Sequence, residues 1–334
     1  MAIIYCKKME VRIAFVDFWP GCDQQNHIIT KALKQKYEVK FVHPQEADYV
    51  FFSVFGDEHW SLPDETVKIF YTGENLCPDF NICDYAIGFE WMDFGDRYYR
   101  LPNYYATEFF LPKVELMLQK HHLSADKDYV GRKFCSFVVS NPAGSPIRRE
   151  AFERISTYKK VDSGGRWLNN IGGPVEDKLA FDSEHKFSIV CENSSHRGYT
   201  TEKIVEAFAA QTIPIYWGDP EVTRVYNPKA FINIQEYANW DDLIAEVKKI
   251  DEDKDLYIRM LKEPAIKDGS FTYQEQFDGM AAFLAHIIEQ PHSEAYRYNR
   301  EFWGKRYVER ERALMQRREK KTWKDYLKAS LKRI

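Results

Sequence analysis

Four polar segments that follow apolar runs carry the side chains best suited to chemistry. They are TGEN (Thr72–Asn75), SNPAGSPIRRE (Ser140–Glu150), CENSSHRGYTTEK (Cys191–Lys203) and YWGDP (Tyr216–Pro220). In the third segment Glu202 and Lys203 follow Thr200 and Thr201, either of which is a plausible N-cap for the amphipathic stretch after them. The N–H groups and positive dipole end of a helix N-terminus bind phosphate, and Lys203 adds a full charge. An anion site is predicted here, with an ordinary exposed Glu–Lys pair as the alternative.

Two further side chains extend this hypothesis. Arg148 follows the Pro146-Ile147 break after a predicted strand, so it should also begin a helix near the same ligand, and a guanidinium fork suits a pyrophosphate. The alternative is that Arg148 is a solvated surface residue. Glu202 has two acceptor oxygens that could hold the diol of a ribose.

Glu74 is the candidate general base. It ends the apolar run of FYTGEN in the first half of the chain, where a strand-end acid would face a ligand held by the second half. A cap or turn role for Glu74 is the alternative. Both Asp-x-Asp patterns, at 126–128 and 251–253, lie in charged segments that are expected to be solvated, so no metal site is predicted.

The elements that position these residues read as two successive α/β series. The first contains VRIAFVDF, a helix around Asn26–Gln35, YEVKFVHP, ADYVFFSVFG, VKIFYTGE and DYAIGF, and the second contains KFCSFVVSNP, a helix around Arg148–Thr157, FSIVCEN, TIPIYWG and AFINI. Short apolar runs rich in Val, Ile, Phe and Tyr predict strands buried in parallel sheets. We therefore predict an α/β fold with domains at 1–125 and 126–295, facing a cleft, and a tail at 296–334. Ligands of such sheets bind beyond the carboxyl ends of the strands.

Charge separates the tail from the rest of the chain. Residues 297–333 contain fourteen Lys or Arg against five Asp or Glu, whereas the net charge of all 334 residues is −4. No apolar stretch is long enough for a membrane span and no signal-type N-terminus is present, which predicts a cytoplasmic protein. Nucleic acid is not expected as a partner. The six cysteines are scattered and are predicted to be free thiols.

Together these segments resemble the α1,3/α1,4-fucosyltransferases of glycosyltransferase family ten, in particular the soluble bacterial branch. The resemblance rests on FYTGEN with FNICDYAIGF and DFGDRYYRLP, on FVVSNPAGSPIR, and on FSIVCENSSHRGYTTEKIVEAF with TIPIYWGDP. It extends from about residue 10 to about residue 290. One departure is His196-Arg197, which lie where related bacterial sequences often have a glycine-rich, uncharged turn.

The resemblance implies a GT-B type fold with two Rossmann-like domains, GDP-fucose in the C-terminal one and the acceptor mainly on the N-terminal one. It implies an inverting single displacement with Glu74 as general base and with no cofactor or metal required, a divalent metal being expected at most to stimulate. By matching positions, Arg148 and Lys203 would neutralise the pyrophosphate, Glu202 would bind ribose, and Asn193 and Tyr199 would contact the nucleotide and phosphates.

The resemblance also implies an acceptor of N-acetyllactosamine type, fucosylated on the GlcNAc 3-hydroxyl to give Lewis x. The alternatives are the 4-hydroxyl, giving Lewis a, or another GT-B sugar-nucleotide transferase. Trp91 and Glu90 are assigned to the acceptor, and any of Trp19, Trp60, Trp91, Tyr98 and Tyr99 could stack on sugar faces. A binding module without catalysis is disfavoured, because Glu74, Arg148 and Lys203 are all present.

The basic tail repeats apolar residues at helical spacing, namely Trp323, Tyr326, Leu327, Leu331 and Ile334. A basic amphipathic helix can lie on an anionic membrane, so peripheral contact with the inner face of the cell membrane is predicted. A helix packed on the protein, or simply solvated, is the alternative.

Overall fold

Two parallel β-sheets organise the chain, as seen in a computed structural model that describes residues 8–106, 108–125, 127–267, 269, 272–298 and 301–331. Each sheet belongs to one of two compact units. The first unit comprises the described residues up to Gly88, Met92–Arg100 and those from Phe277 onward, and the second comprises Phe89–Trp91 and Leu101–Gln276. The predicted α/β class with two Rossmann-like sheets is confirmed.

The first sheet has six parallel strands in the order β2-β1-β3-β4-β5-β6. They are β1 (Glu10–Val16), β2 (Glu38–Phe41), β3 (Tyr49–Phe52), β4 (Val67–Tyr71), β5 (Tyr85–Gly88) and β6 (Tyr98–Arg100). Every residue of β3, β4 and β5 is buried, as expected for central strands covered on both faces. Because all the strands are parallel, their carboxyl ends, including the end of β4 just before Glu74, share one edge.

Four helices accompany this sheet. In the described part of the chain they are α1 (Ile28–Lys36), α8 (Tyr273–Glu289), α9 (His292–Ala295) and α10 (Phe302–Leu331). The six helices between α1 and α8 belong to the second unit. Tyr298, just before α10, is tied to the sheet because Lys68 of β4 donates to its hydroxyl over 2.6 Å and Asp84 accepts from its N–H over 2.8 Å. The C-terminal segment thus returns to the N-terminal sheet.

The second sheet has five parallel strands in the order β11-β10-β9-β7-β8. They are β7 (Lys133–Phe137), β8 (Val161–Ser163), β9 (His185–Cys191), β10 (Ile213–Trp217) and β11 (Ile232–Asn233). The helices of this unit are α2 (Leu111–Leu118), α3 (Ile147–Ser156), α4 (Lys178–Ser183), α5 (Glu202–Ala209), α6 (Trp240–Glu252) and α7 (Lys254–Lys262). One core of aliphatic and aromatic side chains, including Phe137, Phe187 and Ile215, joins the sheet to α3, α6 and α7.

The division between the units differs from the predicted boundary at residue 125. The second unit already begins at Leu101, apart from the short segment Phe89–Trp91. The reason is that α2 packs along α5, so the polar passage after α2 lies inside the second unit. Polarity alone indicates exposure and does not identify a domain linker.

The first turns of α10 pack on the first unit. Val308 is buried, Tyr307 donates to Asp79 over 3.1 Å, and Arg312 pairs with Asp64 at 3.0 Å. The apolar residues on which the amphipathic prediction rests, from Trp323 to Ile334, have side chains outside the described residues. None of the described helices is both long enough and apolar enough to span a bilayer.

Candidate active site

The candidate site of the second unit is built where β9 ends and α5 begins. After Cys191 the chain forms a turn through residues 192–201, and α5 starts at Glu202 with Thr201 in the N-cap position. Helix α5 begins here because Ile204, Val205, Ala207 and Phe208 form a buried stripe on the helix that faces the sheet and α2. This places Glu202 and Lys203 in the first turn, as predicted.

A fully buried carboxylate, that of Glu192, lies under the turn. The N–H of Thr201 donates to its Oε1 atom over 2.8 Å, and the Thr201 hydroxyl donates to its Oε2 atom over 2.7 Å. The side chain of Thr201 is therefore directed to Glu192 rather than to the N–H groups of the first helical turn. Burial raises the pKa of Glu192, and the nearby Lys203 opposes that shift.

Lys203 directs its ammonium group to the same place. Its Nζ atom lies 3.4 Å from Glu192 Oε2 and 3.1 Å from Glu202 Oε1, and it donates to the Thr201 hydroxyl over 2.9 Å. Burial disfavours the ammonium form, but the two carboxylates outweigh it and raise the pKa of Lys203. Lys203 is therefore cationic at any physiological pH, and Glu202 and Lys203 are more than an isolated surface pair.

Arg148, in the first turn of α3, supplies a second positive charge beside Glu192. Its side chain is buried and not solvated. It donates to the carbonyl oxygen of Glu192 over 3.2 Å, to that of Asn141 over 3.4 Å, and to the side-chain oxygen of Asn193. These partners, all that Arg148 has in the described part of the chain, are neutral. A buried cation without a carboxylate partner is costly unless a ligand supplies the negative charge.

A second buried carboxylate, Asp219, holds the middle of the turn. It accepts from the N–H of Gly198 and from the hydroxyl of Thr200, each over 2.9 Å. Gly198 has φ +83, and a Cβ there would lie 2.7 Å from the carbonyl oxygen of Phe89, so this position requires glycine. The turn is therefore fixed at Gly198 by Asp219 and at Thr201 by Glu192.

The predicted contacts Asn193 and Tyr199 are also at this turn, in different environments. Asn193 is bound to Arg148, and its carbonyl oxygen accepts from Ser145 over 2.8 Å, which joins the loops after β7 and β9. Tyr199 is buried, with its ring 5.1 Å from that of Phe89 in an edge-on arrangement. Glu202 is partly exposed, so its free acceptor capacity remains accessible.

The residues assigned to the acceptor, Glu90 and Trp91, pack in this structure against the same turn. The Glu90 carboxylate is buried and lies 2.8 and 2.9 Å from Nε2 of His196 through its two oxygens. The Trp91 ring lies 5.0 Å from the guanidinium of Arg224. His196, the residue that departs from the relatives' pattern, therefore has a defined partner. Its neighbour Arg197 is exposed and pairs with Glu221 at 2.8 Å.

Glu74, the candidate base, is an exposed side chain of the first unit, two residues beyond a Thr72 hydroxyl that accepts from the Glu74 N–H over 3.0 Å. The local turn thus fixes the backbone and leaves the carboxylate facing solvent. The same sheet edge carries two exposed aromatic rings, Trp19 and Phe55, whose centroids are 6.4 Å apart.

Phe18 connects this aromatic pair to the strand that leads to Glu74. Its ring stacks on Tyr71, the last residue of β4, at 5.8 Å and an interplanar angle of 8°. Of the aromatic residues that the sequence suggested for sugar stacking, Trp19 is exposed and Tyr98 is buried. Trp60 and Tyr99 are only partly exposed.

Sequence reasoning did not identify Glu192 and Asp219 as site residues, although both stand in the quoted segments CEN and YWGDP. Both acids come directly after a buried strand, which is the same pattern that identified Glu74. The sequence does not predict the hydrogen-bond partners of these acids, because Thr201 and Gly198 reach them only after the turn has formed.

Comparisons with known proteins identify the family of the chain. Residues 13–107 match the model of the alpha-(1,3)-fucosyltransferase FucT N-terminal domain, and residues 130–265 match that of the glycosyltransferase family 10 (fucosyltransferase) C-terminal region. The alpha-(1,3)-fucosyltransferase FucT of Helicobacter pylori is 34% identical over 317 residues, covering 84% of this chain and 66% of that protein. A putative fucosyltransferase of Acanthamoeba polyphaga mimivirus is 26% identical, covering 78% and 44%. The chain thus spans just under two thirds of one curated relative and less than half of the other.

Solved structures give the same result. A crystal structure of an alpha1,3-fucosyltransferase superposes with a TM-score of 0.76 at 31% identity, covering 90% of this chain and 95% of that one. A crystal structure of an alpha1,3-fucosyltransferase with GDP-fucose superposes with a TM-score of 0.72, covering 87% of this chain and 94% of that one. This likeness confirms the predicted GT-B type of fold. The chain therefore belongs to glycosyltransferase family 10, the fucosyltransferase family.

Proposed function

We propose that this chain transfers L-fucose from GDP-β-L-fucose to the 3-hydroxyl of GlcNAc in N-acetyllactosamine-type acceptors, with inversion, to give Lewis x. The observation that carries the proposal is the buried guanidinium of Arg148, whose described partners are all neutral, beside the ammonium of Lys203. A diphosphate is the ligand whose charge and shape fit such a pair. The similar alpha1,3-fucosyltransferase structure with GDP-fucose supports this donor.

The donor's other parts are assigned to residues around the same turn. Glu202, partly exposed in the first turn of α5, accepts the ribose hydroxyl groups. The N–H groups at the start of α5 add their partial positive charges to those of Lys203 and Arg148. Asn193 orients Arg148, and Tyr199 supports the turn. Positive charge at the leaving group is the role that a metal ion has in other transferases, so the reaction needs no metal.

The reaction is a single displacement. The acceptor oxygen forms a bond to the fucose anomeric carbon as the bond from that carbon to the GDP β-phosphate oxygen breaks. Glu74 takes the proton of the attacking hydroxyl, and GDP leaves with the electron pair. The exposed carboxylate of Glu74 on its strand-end turn suits that step, and one displacement converts the β-linked donor into an α-linked product.

For the acceptor, the best supported surface is the exposed pair Trp19 and Phe55 on the sheet edge that carries Glu74. Apolar faces of galactose and GlcNAc pack on aromatic rings. Glu90 and Trp91 remain proposed acceptor contacts of the segment after β5.

The first turns of α10 expose Phe302 and Trp303, which supports the proposed peripheral contact of the basic tail with an anionic membrane.

The test is incubation of the purified protein with GDP-fucose and N-acetyllactosamine in EDTA, with GDP release and product linkage as the measurements. We expect an α1,3-linked trisaccharide and a loss of kcat of about 10²-fold or more in Glu74→Gln, the size of effect that general-base catalysis supplies. Glu65→Gln, an exposed acid of the same unit, is the control. A product formed only with the isomer Galβ1,3GlcNAc, whose GlcNAc 4-hydroxyl is free, would replace Lewis x by Lewis a, and no product with either acceptor would refute the proposed donor.

A further inference from the structure

Glu192 has no assigned role in the reaction described above, yet it is a fully buried acid at the start of the turn formed by residues 192–201, the donor turn. A buried carboxylate is expensive unless it is bonded and paired. Its two oxygens accept from the Thr201 N–H and hydroxyl and lie beside the Lys203 ammonium. These contacts all involve the start of α5, where the diphosphate would lie.

The carboxylate is also held rigidly. The Glu192 N–H donates to the carbonyl oxygen of Trp217 over 2.9 Å, which continues the pairing of β9 with β10. Gly218 covers its side chain so closely that a Cβ there would lie 2.4 Å from Glu192 Cγ. The two oxygens can therefore serve as fixed reference points for whatever binds to them.

The environment of Lys203 explains why an acid stands at this position. Glu192 and Glu202 both lie beside the Lys203 ammonium, whereas the described partners of Arg148 are neutral. Glu202 is partly exposed, whereas Glu192 is inaccessible to solvent. Only Glu192 can thus fix the position of the Lys203 ammonium without competing with the ligand for solvent-side space.

We propose that Glu192 is a positioning residue for the donor: it fixes the Lys203 ammonium and the first N–H groups of α5 where the diphosphate of the nucleotide sugar binds. The inference rests on the proposed function for its substrate. It does not make Glu192 a catalytic residue, because a side chain beneath Thr201 and Lys203 acts on the ligand only through them.

Asp219 provides the matched control. It too is a buried acid beneath the same turn, and it accepts from the N–H of Gly198, the hydroxyl of Thr200 and the N–H of Glu221. Loss of either acid would loosen the turn. Only loss of Glu192 should act through Lys203.

A double-mutant cycle separates these two effects. Glu192→Gln and Lys203→Gln are made singly and together, and Asp219→Asn is made with and without Lys203→Gln. The measurements are kcat with GDP-fucose, GDP affinity by calorimetry without acceptor, and the thermal midpoint. We expect Glu192→Gln to lower kcat and GDP affinity about tenfold in the wild-type background and less than about threefold in the Lys203→Gln background, since coupled residues are not additive. Asp219→Asn should have the same effect in both backgrounds.

Equal effects of Glu192→Gln in both backgrounds would overturn the inference and leave a merely structural role. If Glu192→Gln does not fold, Thr201→Val replaces it in the cycle, because it removes the hydroxyl shared by Glu192 and Lys203. Coupling in GDP affinity in a protein that transfers no fucose would refute the proposed transfer and support the positioning role. A protein that does not bind GDP would refute both.

Discussion

Nε2 of His196 lies 2.8 Å from one carboxylate oxygen of Glu90 and 2.9 Å from the other. Glu90 follows β5, and His196 lies in the middle of the turn 192–201, which Glu192 and Asp219 also hold. The contact therefore anchors the middle of this turn to the segment after β5, which carries the proposed acceptor residues.

His196→Ala should weaken GDP binding by about three- to tenfold, because a hydrogen bond to a charged group is worth about 1.5–3 kcal/mol, only part of which reaches the ligand. Calorimetric titration with GDP measures the change, and Arg197→Ala, at the exposed neighbour, is the control. If Glu90 instead binds the acceptor, His196→Ala will change the KM of N-acetyllactosamine and leave GDP affinity as it was.

Arg148→Lys should lower kcat about 10²-fold. A lysine keeps the charge, but it cannot contact Glu192, Asn141 and Asn193 with one planar group, as the guanidinium does. Steady-state kinetics at saturating donor give the value. The adjacent Arg149 is exposed and pairs with Glu153 at 3.3 Å, so Arg149→Lys should retain full activity. A similar loss in both variants would place the effect in helix α3 and not in the donor site.

The parts of the fold that followed from the sequence are those with strong local patterns. The apolar runs VKIFY and FSIVC predict buried parallel strands, and every residue of both runs is buried in the structure. Strands β6 and β8 were not identified, since each has three residues, and VDS is no more apolar than a loop. For runs this short, strand formation depends on pairing with a neighbour that the local sequence does not specify.

The candidate site also has parts that the sequence predicts and parts that it does not. Arg148, Glu202 and Lys203 follow from their places at predicted helix starts, and the structure puts them in those first turns. The partners of these residues do not follow, because Glu192 meets Lys203 only after an intervening turn has formed. Likewise, Glu90 contacts His196, which is 106 residues away in the sequence.

Trp19→Ala should raise the KM for N-acetyllactosamine about tenfold and leave GDP affinity unchanged. The reason is that a stacked aromatic ring contributes roughly 1 kcal/mol or more to acceptor binding. The same should hold, to a smaller degree, for Phe55→Ala. Acceptor titrations at saturating GDP-fucose test this. Trp303→Ala, at the exposed start of α10, removes an indole from the same unit and should leave the acceptor KM unaltered. An equal KM for the Trp19 variant and wild type would exclude the aromatic pair as the acceptor surface.

Lys120 should make the free energy of unfolding depend on pH. Its side chain is fully buried, donates to the carbonyl oxygen of Leu261 over 2.9 Å and lies 5.3 Å from the ring centre of Phe208. Burial lowers the pKa of Lys120 from 10.5 to about 7. Between these two pH values the unfolded chain binds a proton that the folded chain does not, so Lys120 makes the free energy of unfolding rise with pH from 7 to 10.5.

The expected rise is up to about 1.4 kcal/mol per pH unit within this interval. Lys120→Met should abolish it, whereas Lys127→Met, at an exposed lysine of the same segment, should keep it. Urea unfolding of the three proteins at pH 7.5 and 9.5, followed by tryptophan fluorescence, measures the difference. The contrary result is an equal change in the free energy of unfolding for the wild type and Lys120→Met between these pH values. Lys120 would then be charged in the folded protein, with its contacts to Leu261 and Phe208 stabilising the ammonium form despite burial.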